Sequence, residues 1–187
     1  MRITEDKLVD TYAKSDAKER FKIIYKNYAI FPQLVDCCEL GQFNRILGEK
    51  EYNRKKKNGE DLGVKIKKSK LSDPTAKMAI ENVTIKEAIR ECDFSGDLLK
   101  DTDDAEAHRR NILTIQMMRR DFEVFDANLK ALPGFEFRIT YRYIHKDCSV
   151  SQIADEEFKA DQTIRNTIAL TRKTLERRII PFFMEAE

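Results

Sequence analysis

The sequence predicts an all-α protein, and three observations carry that expectation. Glycine and proline are scarce, at 6 and 4 of 187 residues. Apolar residues recur in steps of three and four along most of the chain, which is the period of an amphipathic helix. The strict alternation of β-branched residues that marks strands is almost absent. Charged residues make up 36% of the chain and hydrophobic ones 41%, a balance that suits slender helical assemblies better than one thick globule.

Residues 1–53 read as a small helical N-terminal segment. Thr4 is placed to cap a first helix whose inward face holds Leu8, Val9 and Tyr12. Ser15 or Asp16 caps a second, with Phe21, Ile24, Tyr25 and Tyr28 inward. Pro32 marks a break before Leu34, Val35, Cys38, Phe43, Ile46 and Leu47. An aromatic stripe at helical spacing reads as core, so this segment offers no functional clue.

Residues 54–71 change texture to a basic loop or linker. Between Arg54 and Lys70 eight bases stand against Glu60 and Asp61, with two glycines and a short Val64–Lys67 alternation that predicts one small strand. Lys65, Lys67, Lys68 and Lys70 are candidate phosphate contacts, and a solvated charged face is the plainer reading of the same run. From Asp93 to Glu106 the bias reverses, so a chain of net charge +2 is electrically patterned.

Residues 72–132 predict a helical hairpin. Ser72 or Asp73 caps its first helix with Pro74 in the first turn, and the helix runs to about Cys92. Its expected buried face is Ala76, Ala79, Ile80, Val83, Ala88 and Ile89. A long helix follows from about Asp103 to Ala131, with Ile115, Met118, Phe122, Phe125, Leu129 and Leu132 in a heptad-like seam. That seam serves either the hairpin, against the preceding helix, or a homodimer through the Ile115–Leu132 helix.

Residues 133–187 carry the most informative stretch. Pro133-Gly134 ends the long helix, and a short helix with Phe137, Ile139, Tyr141 and Ile144 on its apolar side follows. Cys148 to Arg178 then spell two helices separated by a turn. Ser149 and Gln152 form a capping box for the first, which buries Val150, Ile153, Ala154 and Phe158. A break at Lys159-Ala160 precedes a second helix capped by Asp161, with Ile164, Ile168 and Leu175 on its inner face. Gln162, Thr163, Arg165 and Asn166 occupy the exposed face where that helix starts, and all can hydrogen-bond to base edges or phosphates. Ser149, Ser151, Arg172, Lys173 and Arg177 are placed to hold phosphates, and Asp161 can accept from a cytosine amine. The pattern is that of a helix-turn-helix.

This C-terminal arrangement resembles region 4 of sigma-70-type factors. In that family a leucine-proline start, a short helix ending near a tyrosine and a helix-turn-helix follow in order, matched here by Leu132-Pro133, Tyr143 and Val150 to Lys173. The upstream phrase GEDLGVKIKKSKLSDPTAKMAIENVTIKEAI is similar to a stretch of small phage-encoded regulators of the ArpU-related kind. The resemblance covers about residues 59 to 178. It implies a transcriptional regulator of phage or prophage origin that binds double-stranded DNA, with RNA polymerase as a further partner. Two positions depart from the pattern. Phe158-Lys159 stands where glycine or a small residue is usual, and Asp161 replaces the usual serine cap.

Other function classes are less well served. The four cysteines show no CxxC spacing and there are only two histidines, so no metal or other cofactor is expected. No Gly-rich phosphate loop, HExxH or GxSxG motif points to an enzyme. No apolar run reaches membrane-span length and no signal-peptide pattern opens the chain, so a soluble, cytoplasmic protein is expected. The alternatives to a DNA reader are a sigma-like polymerase-associated factor and a protein-interaction module built on the same scaffold.

Overall fold

A computed structural model describes the backbone of residues 5–57 and 74–184, and these form eight α-helices and one 3-10 turn, with no strand among the described residues. The helices are α1 (Glu5–Lys14), α2 (Ala17–Asn27), α3 (Phe31–Lys57), α4 (Pro74–Glu91), α5 (Ala105–Lys130), α6 (Gly134–His145), α7 (Val150–Glu156) and α8 (Asp161–Met184). The all-α expectation therefore holds. The expected caps Thr4, Ser72 and Asp73, the Val64–Lys67 strand and the loop lysines Lys65, Lys67, Lys68 and Lys70 lie outside the described residues.

The chain forms two compact units, one from Met1–Asp36 with Met117–Glu187, the other from Cys37–Gln116. The sequence boundaries at 53, 71 and 132 do not coincide with these units. The physical reason is that α3 and α5 are long helices, each supplying residues to both.

In the first unit Asp16 caps α2 by accepting from the Glu19 amide at 2.7 Å. The expected inward faces of α1 and α2 are buried, including Leu8, Val9, Tyr12, Phe21, Ile24, Tyr25 and Tyr28. Pro32 falls in the first turn of α3, where its missing N–H costs nothing, so the break comes at the Tyr28–Ile30 turn before it. The lower half of the α5 seam meets these aromatics. Phe125 lies 5.4 Å from Phe21, and Phe122 stacks on Phe31 at 5.7 Å. Leu175, Ile179 and Phe183 of α8 are also buried. α8 packs on α2, α6 and α7, which fixes the frame of the helix-turn-helix.

In the second unit Phe43 and Ile46 of α3, Ile85 and Ile89 of α4, Leu98 from the segment between α4 and α5, and Ile112 of α5 form one apolar cluster. Here the predicted face of α4 is corrected. Ile85 and Ile89 are buried, whereas Ile80 is 68% and Val83 54% exposed. At 100° per residue, Ala79, Ile80 and Val83 lie on the side opposite Ile85, Ala88 and Ile89, so α4 has two apolar stripes and this core takes one.

Two further expectations are revised. The seam is divided between cores, with Ile115 in the second unit and Met118 to Leu132 in the first. Met118, Phe125, Leu129 and Leu132 are buried within the chain, which withdraws them as a homodimer surface. The opposed charge runs also touch inside the second unit, where Lys57 pairs with Asp101, and nearby Lys50 donates to the Asp97 carbonyl at 2.6 Å and Asn53 to the Asp103 carboxylate at 2.8 Å. Part of the electrical patterning is thus internal complementarity.

Candidate nucleic-acid interface

The C-terminal helix pair forms as its local chemistry dictates. The Ser149 hydroxyl accepts from the Gln152 amide at 3.2 Å, and the Gln152 side chain accepts from the Ser149 amide at 2.8 Å. That reciprocal box starts α7. Ile153 and Ala154 then join Ile139, Ile164 and Ile168 in a small core closed by Phe135, Cys148 and Val150. The methyl of Ala154 is 1% exposed, so a larger side chain there would separate the helices.

The turn between α7 and α8 corrects the expectation for Phe158. Its ring is 92% exposed, and its backbone is left-handed at φ 52. The Lys159 amide donates to the Ala154 carbonyl at 2.9 Å and the Phe158 amide to the Asp155 carbonyl at 3.3 Å. This double closure is a Schellman motif, and its left-handed position is the one glycine usually fills. The turn thus has the geometry a small residue would favour, imposed on a phenylalanine that it turns outward.

Asp161 is corrected as well. It is the first residue of α8, and Ala160 holds the cap position, its carbonyl accepting from Thr163 and Ile164 at 2.9 and 3.3 Å. The Asp161 carboxylate instead accepts from the Ser151 hydroxyl at 2.8 Å, tying α7 to α8 across the turn. Its charge is thereby partly engaged before any ligand arrives.

Gln162, Thr163, Arg165 and Asn166 are all exposed, as expected. Gln162 donates to Asn166 at 2.9 Å one turn on, so the two amides form a pre-aligned pair. Arg165 makes no ion pair among the described residues. The spacing 162, 165/166, 169, 172/173, 176/177 keeps these side chains on one face of α8 with Arg172, Lys173 and Arg177. The acids of α7 do not oppose this face as their number suggests. Arg138 of α6 holds Glu157 by two bonds at 2.9 and 2.8 Å, and Arg142 reaches Glu156 at 2.6 Å. These bonds hold both carboxyls below their ordinary titration range.

The flank of α8 is concave, and sequence reading missed part of its wall. A cleft of about 650 Å³ is lined by Lys22, Tyr25 and Lys26 of α2, by Tyr143, Lys146 and Ser149 with the apolar Ile144, Cys148 and Val150, and by Arg172. A second, of about 490 Å³, shares Tyr25, Tyr143, Val150 and Arg172 and adds Arg165 and Lys173. The Arg172 guanidinium lies over the Tyr25 ring at 5.0 Å. Lys22 and Lys26 lie more than a hundred residues from the helix-turn-helix in sequence. Their only local signal is the four-residue spacing of Lys18, Lys22 and Lys26, which puts three cations on one edge of α2.

The described residues contain no cluster of His, Cys, Asp or Glu able to hold a metal ion, and no helix long and apolar enough to cross a membrane. No protein-family model, curated protein or solved structure matches the chain.

Proposed function

We propose that the chain is a sequence-specific DNA-binding transcriptional regulator of the phage-encoded kind, acting in the cytoplasm and reading the major groove with the start of α8. The observation that carries this reading is the exposed face of α8. It presents Arg165 without an ion pair, beside the hydrogen-bonded amides of Gln162 and Asn166. Arginine can bond guanine at two atoms and an amide can do the same with adenine, each good pair contributing roughly 1–3 kcal/mol of discrimination. Ser149, Ser151, Arg172, Lys173 and Arg177 hold the adjoining phosphates in this reading. The pairing of Glu156 and Glu157 with Arg142 and Arg138 of α6 supports it, because two of the three carboxylates at the end of α7 are already matched by cations.

The test is selection from a random-sequence duplex pool with wild type and Arg165→Ala. Enrichment of one motif, degraded at particular bases by the substitution, is the expected result. No enrichment at any salt concentration would sink the proposal.

A second reading has its own observation. Ile80 and Val83 of α4 are 68% and 54% exposed, an apolar stripe suited to a protein partner such as RNA polymerase. A sigma-like, polymerase-associated factor or an interaction module would use this surface. Co-purification with core polymerase, abolished by Ile80→Glu, separates that reading from the first.

A further inference from the structure

We propose that the trough between α2 and α8 binds the sugar-phosphate backbone of the duplex whose bases α8 reads, making the N-terminal helix α2 part of the DNA-binding surface. This assignment rests on the DNA-reading proposal above and adds a second contact to it. Its first support is charge. Lys22, Lys26, Lys146, Arg165, Arg172 and Lys173 line the two joined clefts, and the single carboxylate among the lining residues is Glu176. Lys18 already answers that carboxylate at 3.7 Å. A chain of net charge +2 has therefore gathered six cations along one hollow.

The lining chemistry also matches a backbone better than a bare anion. Tyr25, Tyr143, Ile144 and Val150 provide an apolar floor between the cations, a surface on which deoxyribose can rest. Tyr25 is 8% exposed, and its hydroxyl has no hydrogen-bond partner among the described residues. Burial first, and then the nearness of Tyr143, push that hydroxyl up to about 12, so it remains a proton donor at neutral pH. An unanswered buried donor is costly, and a phosphate oxygen is the acceptor this trough is charged to receive. Stacking on Tyr25 holds Arg172 ready, which lowers the entropy lost when it grips an anion.

Continuity selects the backbone over a free phosphate compound. The two clefts share four lining residues and so form one trough along α8. It includes Arg165, which also belongs to the base-reading face. An occupant following this trough from Arg165 toward Lys26 must be extended and repeatedly anionic.

The experiment is a salt titration of duplex affinity, using the pool-selected site and a mixed-sequence duplex. Wild type is compared with Lys22→Gln, Lys22→Gln/Lys26→Gln, Lys22→Glu, Arg165→Ala and the control Lys14→Gln, which lies outside the trough lining. The three substituted positions other than Arg165 are exposed surface lysines, and thermal melts check that each variant folds. The log–log salt slope is expected to fall by roughly one per lost phosphate contact on both duplexes, with the base pattern unchanged. Lys22→Glu should weaken binding further than loss of the same charge, and Lys14→Gln should leave slope and affinity alone. Unchanged slope and affinity in Lys22→Gln/Lys26→Gln, while Arg165→Ala still degrades the motif, would overturn the trough and leave the reader standing. Absence of wild-type binding to either duplex would overturn both. Inorganic pyrophosphate that bound the trough without displacing DNA would overturn the trough alone, since it would then serve another anion.

Discussion

Arg20 and Asp121 lie 3.2 Å apart with both side chains 1% exposed, an ion pair fully withdrawn from water. Two contacts to other helices extend it. The Tyr12 hydroxyl donates to Asp121 at 2.9 Å, and Arg20 donates to the Phe183 carbonyl at 2.6 Å in the last turn of α8. The cluster thus joins α1, α2, α5 and α8, and it answers one of the carbonyls that a helix end leaves open. Burial, and then the charge of Asp121, raise the Tyr12 hydroxyl well above its ordinary value, so it stays protonated as the donor.

Breaking this pair from one side should be far more harmful than removing both charges. Arg20→Met strands a buried carboxylate, and Asp121→Leu strands a guanidinium, each costing about 3–5 kcal/mol. The double variant should recover a large part of that loss. Urea unfolding followed by far-ultraviolet circular dichroism reads all three. Single variants costing less than about 1 kcal/mol, or a double variant equal to their sum, would show that the pair is not coupled.

Phe158 should be replaceable at a gain. Its left-handed backbone is disfavoured for any residue with a Cβ, and its 92% exposed ring packs on nothing that would be lost. Phe158→Gly is expected to stabilise by about 1 kcal/mol, after the greater unfolded-state freedom of glycine is set against the relieved strain. For a chain of this size that is a rise of about 2–4 °C in melting temperature. A fall in melting temperature would mean that the ring has a structural contact in solution.

Phe158 also marks where the sequence stops being readable. Local rules sufficed for the α2 cap at Asp16, the Ser149–Gln152 box and the inner face of α8, because each depends on neighbours three or four residues away. They failed where two local answers were equally good. The Ile80 and Ile85 stripes of α4 are both apolar, and only tertiary packing decides between them. Phe158 read as core because it is aromatic, yet the helix ends one residue too early for it to turn inward. Lys22 and Lys26 were invisible as site residues because their partners on α8 arrive from the far end of the chain. The exposed polar face at the start of α8 was legible, and the wall beside it was not.

The α6–α7 clasp should be acid-sensitive. The bond from Arg142 chiefly lowers Glu156, and the bonds from Arg138 chiefly lower Glu157, both from an ordinary 4.5. A carboxyl depressed in the folded state stabilises above its unfolded value, and that contribution is lost as pH falls through the folded value. The α7 amides should therefore hold their neutral-pH shifts down to about the ordinary glutamate range, then move in a single acid transition below it. Glu156→Gln/Glu157→Gln should abolish that transition while leaving the rest of the first unit unchanged. A transition of equal size in the double variant would assign it to other carboxyls.

Ser149 allows a residue's structural role to be separated from the role toward DNA proposed above. Its hydroxyl caps α7 and it also lines the trough beside Lys146 and Arg172. Ser149→Ala should cost about 1 kcal/mol through the lost cap, with a melting temperature lower by about 2–4 °C. Ser149→Asn and Ser149→Asp both restore a capping oxygen, so both should melt near wild type. They should part company on DNA. Asparagine leaves the trough neutral at this position, whereas aspartate sets a carboxylate among the cations where a phosphate is to sit. Duplex affinity should accordingly survive in Ser149→Asn and fall in Ser149→Asp despite equal stability, most at low salt, where charge acts at longest range. Equal affinity in the two capped variants would place the duplex away from this end of the trough.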